Sequence, residues 1–132
     1  MAATVSSQTI GTFSSVAPSA QSQILEIPST HIFQRIIKTG DALSLGGTLG
    51  DNLDFTGYVP TSGSSTNGRL SISTEKTPAQ VAILELSFSI VNSLWTVNAG
   101  GKVTFNPTHI GDVARFCSGT VTPNNTIIVS EE

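Results

Sequence analysis

The sequence predicts an all-β protein in which short strands follow one another as an antiparallel meander. Composition is the first indication, because 18 serines and 17 threonines among 132 residues favour strands and turns over helices. Several short runs also alternate apolar and polar residues, and clusters of Gly, Asn and Ser separate those runs. One to two blades of a β-propeller would give this pattern, as would a small β-sandwich or a barrel.

Charge and hydropathy exclude several functional classes. Only 11% of the residues are charged and the net charge is −3, so the chain lacks the basic surface that binds nucleic acid. The most apolar stretch, residues 81–90, is interrupted by Glu85, Ser87 and Ser89, which predicts no membrane span. The first residues lack the basic and apolar regions of a signal peptide.

Two regions differ in texture along the chain. Residues 1–26 are rich in serine and predict an extended N-terminal arm, whereas residues 27–132 predict the β-rich domain. At residues 32–37 the apolar spacing fits a helix and the alternation fits a strand, and the β-branched isoleucines favour the strand. Residues 40–68 are dominated by turn-forming residues.

Alternation predicts the later strands in order. Residues 69–74 alternate, and residues 81–90 form a strand with one strongly apolar face. Residues 94–97 form the next strand, and the Asn-Ala-Gly-Gly run at 98–101 predicts a hairpin into residues 102–105. Two short strands, at 114–117 and 126–130, flank a loop at 122–125. The apolar face of the 81–90 strand consists of Ala82, Leu84, Leu86, Phe88 and Ile90.

Few residues compete for a chemical role. Cys117 is the single cysteine, so no intrachain disulfide can form; its thiolate would suit a soft or borderline metal, although a lone cysteine is usually a small buried hydrophobe. Glu131 and Glu132 follow an apolar run, where they are either a solvated tail or hard-cation ligands at a strand end. Glu75 interrupts a strand-like stretch as an edge charge.

Other metal and nucleotide patterns are weak or missing. His31 and His109 do not have the spacing of a zinc hydrolase. Asp51, Asn52 and Asp54 are weakly similar to an oxygen-rich calcium loop, but the closing acidic residue of an EF-hand is missing. The sequence contains no nucleophile elbow, phosphate-binding loop or dinucleotide fingerprint.

Residues 27–41 combine a Pro, an aromatic residue, an Arg-hydrophobe pair and Gly-Asp, and residues 49–60 contain an Asn-x-Asp-aromatic stretch that ends in Pro. Residues 68–75 are a glycine-led segment that ends in an acid, and a Cys-Ser-Gly-Thr-Val-Thr-Pro run at 117–123 is followed by Glu-Glu at 131–132. Taken together, these segments resemble the N-terminal region of the PhoX-type alkaline phosphatases, which are exported bacterial metalloenzymes built on a β-propeller. The similarity is sharpest in the last of them.

The resemblance implies an iron and calcium centre that cleaves phosphate monoesters. It implies that Cys117 is an iron-binding thiolate and that Glu132, in preference to Glu131, binds metal at the strand end. Glu75 is a weaker candidate ligand, because Thr74 stands where the family has His. The family's Trp-Gly after the proline is replaced here by two asparagines at 124–125.

Two functions are expected from these observations. In the first, the chain is the N-terminal part of a PhoX-type phosphomonoesterase, exported to the periplasm or beyond. Further ligands would then lie beyond residue 132, so the chain would be inactive by itself. In the alternative, it is a non-catalytic structural or binding protein that self-associates through exposed strand edges.

Overall fold

The computed structural model describes residues 14–21 and 23–132, and the chain divides into two units, 1–34 and 35–132. The described residues of the first unit form no helix or strand. A turn there is closed by the His31 N–H, which donates to the Pro28 carbonyl at 2.8 Å. The predicted arm over 1–26 falls partly on residues 1–13 and 22, which lie outside the described residues. The described part of that arm is exposed.

The second unit contains two antiparallel sheets. Four consecutive strands form the larger sheet in the order β1-β2-β3-β4, and a hairpin, β5-β6, forms the smaller one. The prediction of an all-β antiparallel meander is confirmed, and no sheet of the described chain closes into a barrel. The strands are β1 Leu53–Pro60, β2 Asn67–Thr74, β3 Val81–Ser89, β4 Leu94–Lys102, β5 Phe116–Val121 and β6 Ile127–Glu131, with a four-residue helix, α1 Pro107–Ile110, before β5.

The core lies on one face of the larger sheet. Strand β3 places alternate apolar side chains on this face, as its sequence predicts. Ile90 was predicted to extend that face, but β3 ends at Ser89 and Ile90 lies in the following turn, 62% exposed. The buried cluster consists of Leu43, Leu49, Ile72, Ala82, Leu84 and Leu86.

Residues 32–37 form neither of the two predicted elements, so the preferred strand prediction is wrong. The physical reason is that this segment gains its stability by side-chain packing and has no strand partner. Ile36 and Ile37 pack against the buried cluster, whereas Ile32 and Phe33 are exposed. The apolar pattern of this segment therefore reflects the burial of Ile36 and Ile37 and does not mark a strand.

The hairpin predicted at 98–101 is also wrong, because these residues lie inside β4. The strand pairs with β3 from Leu94 opposite Ser89 to Lys102 opposite Ala82, with one irregularity near Asn98, and residues 103–105 are not strand. At Gly100 an added Cβ would lie 2.7 Å from Leu84 Cδ2. The glycine therefore permits close packing within the sheet and does not mark a turn.

Strand β1 falls in the region that the sequence predicts as turns. It pairs with β2 from Leu53 opposite Thr74 to Pro60 opposite Gly68. The strand is not predicted from the sequence because it contains Gly57 and Pro60, residues that are typical of turns. Gly57 faces the smaller sheet, where an added Cβ would lie 3.1 Å from Val121 Cγ2, and Pro60 occupies the last position of an edge strand, where a missing N–H is tolerated.

The smaller sheet packs against β1 and β2. Ser73 on β2 donates a hydrogen bond from Oγ to the Phe116 carbonyl at 3.2 Å. The Phe55 ring lies over Gly119, where an added Cβ would come within 2.5 Å of Phe55 Cδ1. These contacts set the start of β5 beside the start of β1. None of the described helices is long and apolar enough to cross a membrane.

Candidate metal centre at the sheet ends

Four strand ends meet at one end of the second unit. Because β1 and β2 are antiparallel, the start of β1 lies beside the end of β2, and Leu53 pairs with Thr74. The start of β5 likewise lies beside the end of β6, and Phe116 pairs with Glu131. Acidic or thiol side chains occupy all four of these ends. They are Asp54 on β1, Glu75 after β2, Cys117 on β5 and Glu132 after β6, and we call them the thiol–carboxylate cluster.

The sulfur and two carboxylates of this cluster are close enough to share an ion. The Cys117 Sγ and one carboxylate oxygen each from Asp54 and Glu75 all lie within 4.8 Å of one another. Asp54 is exposed, whereas Glu75 and Cys117 are half-buried. Metal–ligand bonds of about 2.0–2.6 Å place two ligands of one ion within about 5 Å of each other, so this spacing is compatible with chelation.

Glu132 joins the cluster through the thiol. Cys117 Sγ lies 3.4 Å from Glu132 Oε2 and 3.4 Å from the Arg115 carbonyl, so the single S–H donates to one of these acceptors at a time. The Glu132 N–H also donates to the Arg115 carbonyl, at 3.1 Å. The terminal acid is therefore held to the residue that precedes β5.

The surroundings of Cys117 favour the protonated thiol. Desolvation raises the pKa of Cys117 to about 11, and the Glu132 carboxylate and then that of Glu75 contribute to the rise. At neutral pH the group is a thiol. A metal ion bound there must displace this proton, because the thiolate is the ligand.

Of the four residues predicted as ligands, Glu131 lies apart from the thiol. Its carboxylate accepts a hydrogen bond from the Ala114 N–H. Glu132 lies one residue beyond β6 and its carboxylate contacts the Cys117 sulfur, at the point where the β5–β6 pairing is irregular. The structure therefore brings Glu75, Cys117 and Glu132 together, and a metal role for Glu131 stays a prediction.

Asp54 is the member of the cluster that sequence reasoning did not assign to a metal. The only signal was the weak similarity of residues 51–54 to a calcium loop. Within that stretch Asp51 turns elsewhere, since its Oδ2 lies 2.6 Å from Lys76 Nζ, and the hydrogen bond from this ammonium lowers the pKa of Asp51. Asp54, two residues into the strand-forming sequence, is the acid that reaches the thiol.

The loops behind the cluster tie the two sheets together. The Arg115 N–H donates to the Lys76 carbonyl at 3.0 Å, and the Ala79 N–H donates to the Val113 carbonyl at 2.9 Å. The segment after β2 is thus paired with the segment before β5. This pairing fixes Glu75 relative to Cys117, although the two residues belong to different sheets.

The donor set fits the metals that the motif resemblance implies. A thiolate with carboxylates is a mixed soft and hard set suited to iron, and the carboxylates alone suit calcium, which takes oxygen ligands. The cluster offers one sulfur and three carboxylates, and the sulfur and two of these carboxylates lie close enough to share one ion. Within the described chain, then, the cluster fits part of a metal centre.

A groove of about 420 Å³ lies away from this cluster, beside β4. It is lined by residues that include Ile36, Leu43, Leu84 and Val97, and no member of the thiol–carboxylate cluster borders it. Comparison with known proteins adds no relative, since no family profile, curated protein or solved structure matches the chain. Any functional assignment therefore depends on the chain's own residues.

Proposed function

We propose that this chain carries part of the metal centre of a PhoX-type, metal-dependent phosphomonoesterase. The observation that supports the proposal is the convergence of Glu75, Cys117 and Glu132. Glu75 is distant in sequence from Cys117 and Glu132, and the motif resemblance implies all three as ligands.

In this proposal Cys117 supplies a thiolate to iron, and the carboxylates of Glu75, Glu132 and Asp54 hold iron or a neighbouring calcium ion. Bound cations would neutralise phosphate charge and stabilise the charge that develops in the transition state. The residues of the chain hold the ion, and the Cys117 proton leaves when it binds. The displaced proton passes to solvent, because the Glu132 side-chain carboxylate beside the sulfur is itself a ligand in this proposal.

We further propose that the chain has no appreciable phosphatase activity by itself. A centre that combines iron with calcium needs a ligand set for each ion, and the chain brings one thiol and three carboxylates to the site. A phosphate monoester would therefore find an incomplete metal centre here. Export of the protein follows from the family resemblance alone.

The same proposal assigns β1 to β4 to one propeller blade and β5-β6 to the beginning of a second. Two features support this assignment. A blade is a four-stranded antiparallel meander, as this sheet is, and blades pack face to face, as β5 packs on β1 and β2. Further blades would be needed to close the ring.

Metal binding by the purified chain tests the proposal. The chain is titrated with iron and, separately, with calcium, together with Cys117→Ala and Glu75→Gln. Each substitution removes one ligand, and we expect about tenfold or greater loss of iron affinity. Glu85→Gln is the matched control, because this exposed glutamate pairs with Arg69 at 3.5 Å, away from the cluster, and should bind iron like the unchanged chain. Failure of the unchanged chain to bind either metal would refute the proposal.

A second candidate function, self-association through a strand edge, is favoured by the outer edge of β4. At Gly100 this edge is bonded to the preceding loop, since the Leu45 N–H donates to the Gly100 carbonyl and the Gly100 N–H to Ser44 Oγ, each at 2.9 Å. Earlier in β4, before this bonded position, Val97 is 38% exposed. A second copy could pair there, and Val97→Lys should then weaken the association. A monodisperse monomer in sedimentation analysis at high concentration would exclude this candidate.

A further inference from the structure

We propose that Asn52 is a positioning residue for the metal centre, which holds the Glu75 carboxylate beside Cys117. The inference rests on the proposed function, because it concerns the same ligands. The hydrogen bonds between Asn52 and Glu75 are to the Glu75 backbone. Asn52 acts through Glu75, by fixing the backbone from which that side chain projects.

Asn52 binds the backbone of Glu75 on both sides. Its backbone carbonyl accepts a hydrogen bond from the Glu75 N–H at 2.8 Å, and its side-chain Nδ2 donates to the Glu75 carbonyl at 3.4 Å. Glu75 follows the last residue of β2, where the strand pairing that holds the preceding residues has ended. The two hydrogen bonds with Asn52 therefore hold the backbone of Glu75, one residue beyond the end of β2.

The backbone conformation of Asn52 explains why an asparagine suits this position. Its φ is +50°, in the left-handed region, which asparagine and glycine adopt readily and β-branched residues do not. In this conformation the backbone carbonyl of Asn52 accepts from the Glu75 N–H while its side-chain amide donates to the Glu75 carbonyl. The neighbouring Asp51–Lys76 ion pair, at 2.6 Å, closes the turn on its other side.

A continuous series of bonds leads from Asn52 to the thiol. Asn52 holds Glu75, the next residue Lys76 accepts a hydrogen bond from the Arg115 N–H at 3.0 Å, and Arg115 lies two positions before Cys117. Asp54 follows Asn52 by two positions on the other side. A displaced Asn52 would therefore move two ligands relative to the sulfur, while both sheets keep their own pairing.

The test is a titration of the full chain with Co²⁺, which reports binding to a thiolate by a sulfur-to-cobalt charge-transfer absorption. Asn52→Val excludes the left-handed conformation, and we expect affinity about ten- to a hundredfold weaker with a diminished absorption band. Asn52→Gly permits that conformation and keeps the carbonyl acceptor, so it should restore most of the affinity. The matched control is Asn125→Val. Asn125 has a φ of +59° in the turn between β5 and β6, at the far end of that sheet from Cys117.

The pattern of outcomes separates this inference from the proposed function. Weak binding by Asn52→Val, with normal binding by Asn52→Gly and Asn125→Val, supports the inference. Equal loss in Asn52→Val and Asn125→Val would mean general destabilisation and would overturn it, as would normal binding by Asn52→Val. No charge-transfer band in the unchanged chain would overturn the proposed function, and the positioning role would fall with it.

Discussion

A single side chain shows how strongly local surroundings can change chemistry in this protein. In sequence Cys117 is a lone cysteine, for which a buried hydrophobic role is the common one. In the structure its sulfur is half-buried and contacts a carboxylate, and its pKa is raised to about 11. At neutral pH the residue is therefore a thiol, and a metal ion that binds its sulfur must displace the proton.

The raised pKa predicts slow alkylation of Cys117. Between pH 8 and 10 the folded chain should react with iodoacetamide more slowly than the chain unfolded in urea, because the thiolate is the nucleophile. Glu132→Gln removes the hydrogen-bonded charge and should shift the reactivity profile to lower pH. The control, Glu131→Gln, alters the neighbouring acid that faces Ala114 and should leave the profile unchanged. Identical profiles for the folded and unfolded chains would contradict the described surroundings.

The sign of the linked stability follows from the same shift. The folded state binds the thiol proton more tightly than the unfolded state, so the favourable contribution is complete below the unfolded pKa. It is lost as pH rises from near 9.0 toward about 11. Wild type should therefore lose thermal stability over this range, and Cys117→Ala, which lacks the group, should lose less.

Among the strands, alternation of apolar and polar residues predicted positions correctly, whereas glycines led to wrong predictions of turns. β2 and β3 alternate clearly, and their predicted positions are confirmed within a few residues. Gly57 and Pro60 made the β1 segment resemble turns in the sequence, and Gly100 and Gly101 led to a predicted strand that ends before the real β4 does. In both strands a glycine permits close approach of a neighbouring side chain, a tertiary requirement that local sequence does not reveal.

The role of Gly100 in β4 can be tested by adding one methyl group. Gly100→Ala would place Cβ 2.7 Å from Leu84 Cδ2 and 3.3 Å from Leu43 Cδ2, both in the buried cluster, so we expect a loss of about 1–3 kcal/mol in the free energy of unfolding. Gly101→Ala is the control, since its Cβ would lie 3.2 Å from Leu45 Cβ, a looser contact and one with a residue that is 78% exposed. Urea denaturation measures both. Equal stability of the two variants would contradict the packing described for β4.

For the whole second unit, the candidate site exists only where the two sheets meet. The motif resemblance implied Glu75, Cys117 and Glu132 as ligands, because their spacing from neighbouring Gly and Pro residues can be recognised in the sequence alone. It did not name Asp54 or Asn52, because their relation to Glu75 arises from the pairing of β1 with β2. It preferred Glu132 to Glu131, and the structure places the Glu132 carboxylate beside the thiol and that of Glu131 on the Ala114 N–H.

The most direct measurement of the central claim is the metal-edge X-ray absorption spectrum of the iron-loaded chain. Cys117 and carboxylates as joint ligands predict a sulfur shell together with oxygen shells around the iron. Cys117→Ala should lose the sulfur shell, and Glu131→Gln should retain it. An iron site surrounded by oxygen alone in the unchanged chain, or a sulfur shell that persists in Cys117→Ala, would contradict the account.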